Sequence, residues 1–145
     1  MYLEIPNHLL PATSELLDSL PLKGAASRAR TRALALVSTA LEVLGASEVE
    51  LLNTYGVKDA TGELVREGDT FELKPETAAE YQAERSKLLG EVTVIDEATY
   101  TGHETIFRET LENADLELKG SLATAYDQLL TSLEKNAYSK EDSDA

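Results

Sequence analysis

Three arginines at alternate positions are the residues of this chain with the clearest capacity for specific chemistry. They are Arg28, Arg30 and Arg32, and Lys23 precedes them across the segment GAAS. A guanidinium group forms paired hydrogen bonds with a carboxylate or a phosphate, and an ammonium group attracts either one as a point charge. On a helix Arg28 and Arg32 would share one face, whereas Arg30 would point elsewhere. We therefore predict that these four residues bind a partner.

The nature of that partner follows in part from the charge of the chain. The sequence contains 27 acidic and 13 basic residues, and its formal net charge is −14. Such a surface repels the phosphates of a nucleic acid, so direct binding to DNA or RNA is disfavoured. The partner is then another protein. The remaining interpretation is that the arginines form ion pairs with the acidic residues of the protein itself.

Residues suited to catalysis or metal binding show no recognised pattern. The histidines, His8 and His103, are 95 positions apart, and GHE at 102–104 lacks the spacing of a zinc protease motif. The turns EGD and KDATGE lack the series of acids of a calcium-binding loop. The sequence also lacks a glycine-rich phosphate loop and a nucleophile elbow. We predict that the protein is not an enzyme and has no catalytic residues, no metal site and no cofactor.

The acidic residues lie mainly after residue 40. Residues 1–40 contain 3 acidic and 4 basic side chains, a net charge of +1, whereas the other residues contain 24 and 9, a net charge of −15. A dense acidic surface keeps a protein soluble. It would also imitate the phosphate track of DNA and be steered rapidly to a basic groove on another protein. Both interpretations of the acidic surface stay open.

Length and composition predict one soluble domain. A hydrophobic content of 42% over 145 residues is enough for a core, and cysteine is absent, which suits a reducing compartment. No apolar run approaches the roughly 18 residues that span a bilayer. The first residues, MYLEIPNHLL, lack the basic start and apolar middle of a signal peptide. We expect an intracellular protein that does not bind membranes.

The arginines must be positioned by the element that contains them, which hydrophobic periodicity predicts to be a long helix. Apolar residues recur at helical spacing from Gly24 to Tyr55, with Gly45 or a capping box at Ser47 and Glu50 as a point of interruption. A second helix, with Ala78, Tyr81, Leu88 and Leu89 on its buried side, is predicted after Pro75.

Shorter segments complete the predicted elements. YLEI and EVTVID alternate or are rich in β-branched residues, as strands are. LPLK and LELK predict extended pieces, each of which leads through a glycine into a helix. The leucines of LLPATSELLDSL, the segment from Leu9 to Leu20, predict a short amphipathic helix, and those after Gly120 predict a last one.

We therefore predict a mostly α, α+β fold. Two long antiparallel helices, about 25–55 and 76–90, would form a hairpin with a β-ribbon, 57–74, at its tip, and short strand–helix pieces at both termini would pack together. Residues 1–138 would form a single domain with the ribbon as an insertion, and 139–145 a disordered acidic tail. If Leu41 and Leu129 both lie in the core, replacing either one with Ala costs about 2–5 kcal/mol.

Several segments together resemble a known family. They are LPLKGAASRARTRALALVSTALE, LLNTYGVKDATGELV, AEYQAERSKLLGEVTVI and LELKGSLATAYDQLL. They resemble the small phage proteins grouped as domain of unknown function sixteen-seventeen, over about residues 2–133. The most specific parts are Gly24 with Ser27-Arg28-x-Arg30-Thr31-Arg32, and the turn region with Tyr55-Gly56, Asp59 and Gly62.

This resemblance implies a gene of a tailed phage or prophage of a Gram-positive host, and it implies no known activity. We accordingly expect a non-enzymatic phage accessory protein that binds a phage structural or assembly protein, in virion or tail assembly or a related late function. It would act in the cytoplasm of the host bacterium or in association with the virion. The alternative is an acidic inhibitor that blocks nucleic-acid binding by a host anti-phage defence nuclease, such as a CRISPR effector.

Overall fold

The computed structural model describes the backbone of residues 1–144 and the side chains of residues 1–138. It is 65% helical with two small antiparallel sheets, so the predicted mostly α, α+β class is confirmed. Among the described residues, no helix combines the length and the apolar character needed to cross a membrane. The acidic tail expected at 139–145 lies outside the residues whose side chains are described.

The elements follow one another along the chain with short connections. In order they are β1 (Tyr2–Pro6), a 3-10 turn (Asn7–Leu9), α1 (Leu10–Ser19), α2 (Gly24–Tyr55), β2 (Arg66–Glu67), β3 (Thr70–Phe71), a 3-10 turn (Pro75–Thr77), α3 (Ala78–Gly90), β4 (Val92–Asp96), α4 (His103–Glu112) and α5 (Gly120–Asp144). The chain divides into two compact units, Met1–Leu41 with Val92–Ala145, and Glu42–Glu91. The single domain expected over 1–138 stays a prediction.

The sheet of the first unit joins the two strands that the sequence predicts. β1 and β4 are antiparallel, with Tyr2 opposite Asp96 and Pro6 opposite Val92. Leu3 and Ile5 are fully buried, whereas the residues between and beside them in β1 are half-buried. Because side chains alternate between the two faces of a strand, one face of β1 packs into the core.

Helices complete the core of the first unit. Leu9, Leu10, Leu16, Leu17 and Leu20 are all buried, as their helical spacing predicts. The fully buried side chains also include Phe107 and Leu111 of α4 and Ala125 and Leu129 of α5. The hydroxyl of Tyr126 donates a hydrogen bond to the carbonyl oxygen of Leu111, which links α5 to the end of α4.

The segments LPLK and LELK, predicted as extended pieces, are connections and do not form strands. Residues 20–23 and 114–119 have no regular structure. Pro21 has no N–H to donate to a ladder, and the second edge of β1 is hydrogen-bonded to side chains of α5, so neither segment can pair there. Gly24 and Gly120 begin the next helices with φ of +57° and +61°, a conformation that favours glycine.

Helix α2 is continuous, so the interruption expected at Gly45 or Ser47 is wrong. The hydroxyl of Ser47 donates to the carbonyl oxygen of Val43 at 3.2 Å, inside the helix, and therefore does not cap a new one. Val37 and Leu44 are buried, but Leu41 is half-buried, so it is not a core residue like Leu129.

Antiparallel pairing runs through the ribbon segment of the second unit. Arg66 pairs with Phe71 in the β2–β3 ladder, and single bridges join Gly56 to Leu73 and Lys58 to Leu64. The guanidinium of Arg66 lies 4.9 Å from the centre of the Phe71 ring. Apart from Gly56, the paired residues lie within 57–74, and the place of this segment at the tip of a hairpin stays a prediction.

The second unit has almost no buried side chains. Between Glu42 and Glu91, Leu44 and Gly56 alone are buried. The residues expected on the buried side of α3 are all half-buried, which corrects that expectation; they are Ala78, Tyr81, Leu88 and Leu89. A unit of about 50 residues has too little volume to remove many side chains completely from water.

Candidate protein-binding surfaces

Arg30 is held within the protein by the end of α1. Its Nη1 donates hydrogen bonds to the carbonyl oxygens of Leu17, at 3.2 Å, and of Leu20, and its Nη2 donates to Oγ of Ser27 at 3.3 Å. The last carbonyls of a helix have no N–H partner within it and carry partial negative charge. A guanidinium group at this point satisfies those carbonyls and stabilises the end of α1.

Arg32 also bonds to the backbone, although its side chain is exposed. Its Nη2 donates to the carbonyl oxygen of Ala98 at 3.1 Å, and Ala98 follows β4 in the same unit. An exposed hydrogen bond of this kind contributes little to stability, but it orients the side chain. Arg32 therefore connects α2 to the segment that leads from β4 to α4.

Lys23 and Arg28 are exposed, and no described group forms an ion pair or a side-chain hydrogen bond with either of them. The alternative in which the arginines pair with the protein's own Asp and Glu is thus not seen among the described residues. Instead, two of the four predicted binding residues contact carbonyl oxygens, and the other two present their charges to solvent. Their role in binding a partner stays a prediction.

An open groove in the second unit lies between the last turns of α2 and α3. Its volume is about 370 Å³. Leu51, Tyr55 and Leu88 supply its apolar surface, whereas Glu50, Glu84 and Glu91 line it with carboxylates and Lys87 with an amine. The unit as a whole contains 12 acidic and 5 basic residues, a net charge of −7. The groove therefore combines a small apolar surface with an excess of acidic residues.

Tyr55 joins the two helices beside this groove. Its hydroxyl donates to Oε1 of Glu80 at 3.1 Å, and its ring meets that of Tyr81 edge to face, with the centres 6.1 Å apart. Burial raises the pKa of Tyr55, and the hydrogen bond to Glu80 and the charges of Glu80 and Glu84 raise it further. At neutral pH Tyr55 is therefore a neutral hydrogen-bond donor and not a base.

His103 is the first residue of α4. Its side chain is 4% exposed, and its ring meets that of Tyr100 edge to face at 5.2 Å. Its Nδ1 is buried without a hydrogen-bond partner among the described groups. In the part of the chain that the structure describes, no three or more His, Asp or Glu side chains are arranged to hold a metal ion.

Comparison of the chain with protein families, with curated proteins and with solved structures gives no match in any of the three. The phage resemblance and the functions that follow from it are therefore proposals.

Proposed function

We propose that this protein is a non-enzymatic accessory protein of a phage or prophage that acts by binding another protein, in virion or tail assembly or a related late function. The phage assignment rests on the resemblance of the sequence segments. The binding role rests on one observation: Lys23 and Arg28 are exposed without an ion pair in the described part of a chain of net charge −14. Unpaired cations beside a helix start suit an acidic surface on a partner.

The other two predicted binding residues, Arg30 and Arg32, hold the segment that contains Lys23 and Arg28 in position. Arg30 fixes the end of α1 through Leu17 and Leu20, and Arg32 contacts Ala98. Both contacts hold the first turns of α2 in place. A surface that is ordered before binding loses less conformational entropy when the complex forms. In this proposal Lys23 and Arg28 contact the partner, which is a phage structural or assembly protein in the host cytoplasm or the virion.

Affinity capture from phage-producing bacteria, followed by mass spectrometry, tests the proposal. The wild type should retain a phage structural or assembly protein, and a variant with Lys23→Glu and Arg28→Glu should lose it. Lys58→Glu with Lys74→Glu is the matched control, because it changes the charge equally at two exposed lysines of the second unit. Recovery of host enzymes alone, or equal recovery by both variants, would count against this function.

The acidic groove supports a second candidate, an inhibitor of a host anti-phage defence nuclease such as a CRISPR effector. Glu50, Glu84 and Glu91 along one groove would oppose the basic residues with which such an enzyme binds nucleic acid. This function predicts stoichiometric inhibition that weakens with salt and with Glu84→Lys and Glu91→Lys together. Inhibition that is unchanged by these substitutions would exclude the groove as the inhibitory surface.

We also propose that the helical segments 25–55 and 76–90 form the antiparallel hairpin with the ribbon 57–74 at its tip, and that the strand–helix pieces of both termini pack together. The contacts of Tyr55 with Glu80 and Tyr81, next to the ribbon, support it. Spin labels at Ser47 and Glu91 should then be closer together than labels at Ser47 and Glu80. The reverse order of these distances would contradict the hairpin.

A further inference from the structure

One edge of the sheet in the first unit, beside β1, is covered, and the other edge, beside β4, is free in the described part of the chain. On the outer side of β1, the amide of Glu4 donates to Oγ of Ser132 at 2.8 Å, and Nε2 of Gln128 donates to the carbonyl oxygen of Glu4 at 3.1 Å. Side chains of α5 thus occupy that edge. Among the described residues β4 pairs with no strand other than β1. A new strand can therefore join this sheet only beside β4.

β4 has only part of the protection that edge strands usually have. It is short and ends in the charged Asp96, but it contains no lysine, proline or bulge and keeps a regular register with β1. Val92 and Val94 lie on its outer face with 51% and 58% of their surface exposed, while Ile95 on the other face is 6% exposed. The strand therefore offers unpaired backbone groups next to two exposed apolar side chains.

The charges around β4 indicate what would pair with it. Glu91 precedes the strand, Asp96 ends it and Glu97 follows it; all three are exposed, and positions 91–97 contain no basic residue. If two copies paired antiparallel through β4 with Val94 at the centre, Glu91 would lie opposite Glu97 of the second copy at both ends. Like charges in facing positions destabilise a strand pair, and opposite charges stabilise it. In this register a second copy is disfavoured, and a segment with basic ends is favoured.

We propose that the free edge of β4 binds an extended segment of another protein in which alternating apolar residues are flanked by Lys or Arg. The segment adds a third strand to the sheet through backbone hydrogen bonds, which supply most of the affinity. Val92 and Val94 contact its apolar side chains, and Glu91, Asp96 and Glu97 select its basic ends. The binding uses none of the residues on which the proposed phage function rests, and it shares only Glu91 with the groove of the second candidate function.

Two synthetic peptides test this inference by calorimetric titration against the full chain. Both have the same core of alternating Val and Thr; one has two Lys at each end and the other has two Glu. The Lys peptide should bind with one-to-one stoichiometry, and the Glu peptide about tenfold more weakly or not at all. Hydrogen exchange should show new protection of backbone amides within 92–96. Absence of saturable binding by the Lys peptide, or equal affinity of the two peptides, would overturn the proposal.

Two variants keep the test specific to the strand. Val94→Lys replaces an exposed side chain of β4 and should weaken binding of the Lys peptide about tenfold, because it adds a like charge beside the strand. Val43→Lys is the matched control, since Val43 is 64% exposed on α2, and it should bind the peptide like the wild type. Circular dichroism of both variants verifies that the fold is kept. Equal losses of affinity for the Lys peptide in the two variants would show that binding does not use β4, and would refute the proposal.

Discussion

Arg30 in α2 donates a hydrogen bond from Nη1 to the backbone carbonyl oxygen of Leu17, at 3.2 Å, near the end of α1. The same nitrogen also bonds to the carbonyl oxygen of Leu20. Two helices that are consecutive in the chain are thereby joined through one guanidinium group. The sequence alone predicts Arg30 as a partner contact, and its geometry gives it a structural role within the first unit.

Removing this group should destabilise the first unit. Arg30→Ala leaves the terminal carbonyls of α1 without their charged donor, and we expect a loss of about 1–2 kcal/mol in the free energy of unfolding because the site is only half-buried. Arg28→Ala is the control and should change it by less than about 0.5 kcal/mol, since Arg28 is exposed without a described partner. Chemical denaturation measures both. Equal effects of the two variants would refute the capping role.

Gly56 and Gly45 should respond to alanine in opposite directions. A Cβ at Gly56 would lie 2.6 Å from the carbonyl oxygen of Leu52 and 2.6 Å from Cδ2 of Leu64. Because the first of these atoms belongs to the backbone, Gly56→Ala should destabilise the second unit by about 1–3 kcal/mol. A Cβ at Gly45 would meet nothing within 4 Å. Gly45→Ala should stabilise α2 by about 0.5–1 kcal/mol.

Thermal and chemical denaturation of the two glycine variants, with hydrogen exchange of residues 57–74, would measure these effects. Faster exchange in the ribbon is expected for Gly56→Ala alone. A stable Gly56→Ala variant with unchanged exchange would mean that the close approach to Leu52 is not needed for the fold.

Replacing each of two leucines with alanine should show different losses of stability for a fully buried and a half-buried residue. Leu129 is fully buried, so Leu129→Ala should cost about 2–5 kcal/mol through lost burial and a residual cavity. Leu41 is half-buried, and Leu41→Ala should cost about 1 kcal/mol because less apolar surface is returned to water. Urea denaturation gives both values. A loss at Leu41 as large as at Leu129 would show that Leu41 is buried in solution.

Asp59 should have a lowered pKa because hydrogen bonds favour its charged form. The hydroxyl and the amide of Thr61 donate to Oδ1 of Asp59 at 2.6 and 2.8 Å, and the amide of Glu63 donates at 3.1 Å. These bonds, that of the Thr61 hydroxyl first, lower the pKa of Asp59 below the ordinary value for aspartate. The stabilisation is complete above that ordinary pKa and is lost as the pH falls through the lowered one.

A pH titration of the Asp59 carboxyl carbon by NMR tests this effect. Thr61→Val removes the hydroxyl donor and keeps the amide, so the pKa of Asp59 should move part of the way back toward its ordinary value. The same titration midpoint in the wild type and in this variant would show that the Thr61 hydroxyl does not stabilise the turn.

The sequence predicts local structure in this protein better than it predicts what covers each surface. The five leucines from Leu9 to Leu20, in and beside α1, recur at helical spacing, and all of them are buried. The same reasoning fails for Leu88 and Leu89 in α3, which are half-buried. Periodicity identifies the apolar face of a helix, but burial depends on whether another element packs against that face.

Contacts between positions that are far apart in the chain could not be predicted from the sequence alone. β1 and β4 were both predicted as strands, yet nothing local indicates that Tyr2 pairs with Asp96. The role of Arg30 is equally hard to predict, because a guanidinium group can bind the end of a distant helix or a partner protein equally well. Its bonds to Leu17 and Leu20 depend on how residues 20–23 turn the chain between two helices, a path that Pro21 and Gly24 restrict but do not fully determine.

The most direct test of the proposed function is the dissociation constant between this protein and the phage protein recovered by affinity capture, measured at low and high salt. We expect Lys23→Glu with Arg28→Glu to weaken binding at least about tenfold, and wild-type affinity to fall as salt rises, because opposite charges face each other in the complex. The control Lys58→Glu with Lys74→Glu should bind like the wild type. Unchanged affinity in the Lys23 and Arg28 variant would contradict a binding role for the start of α2.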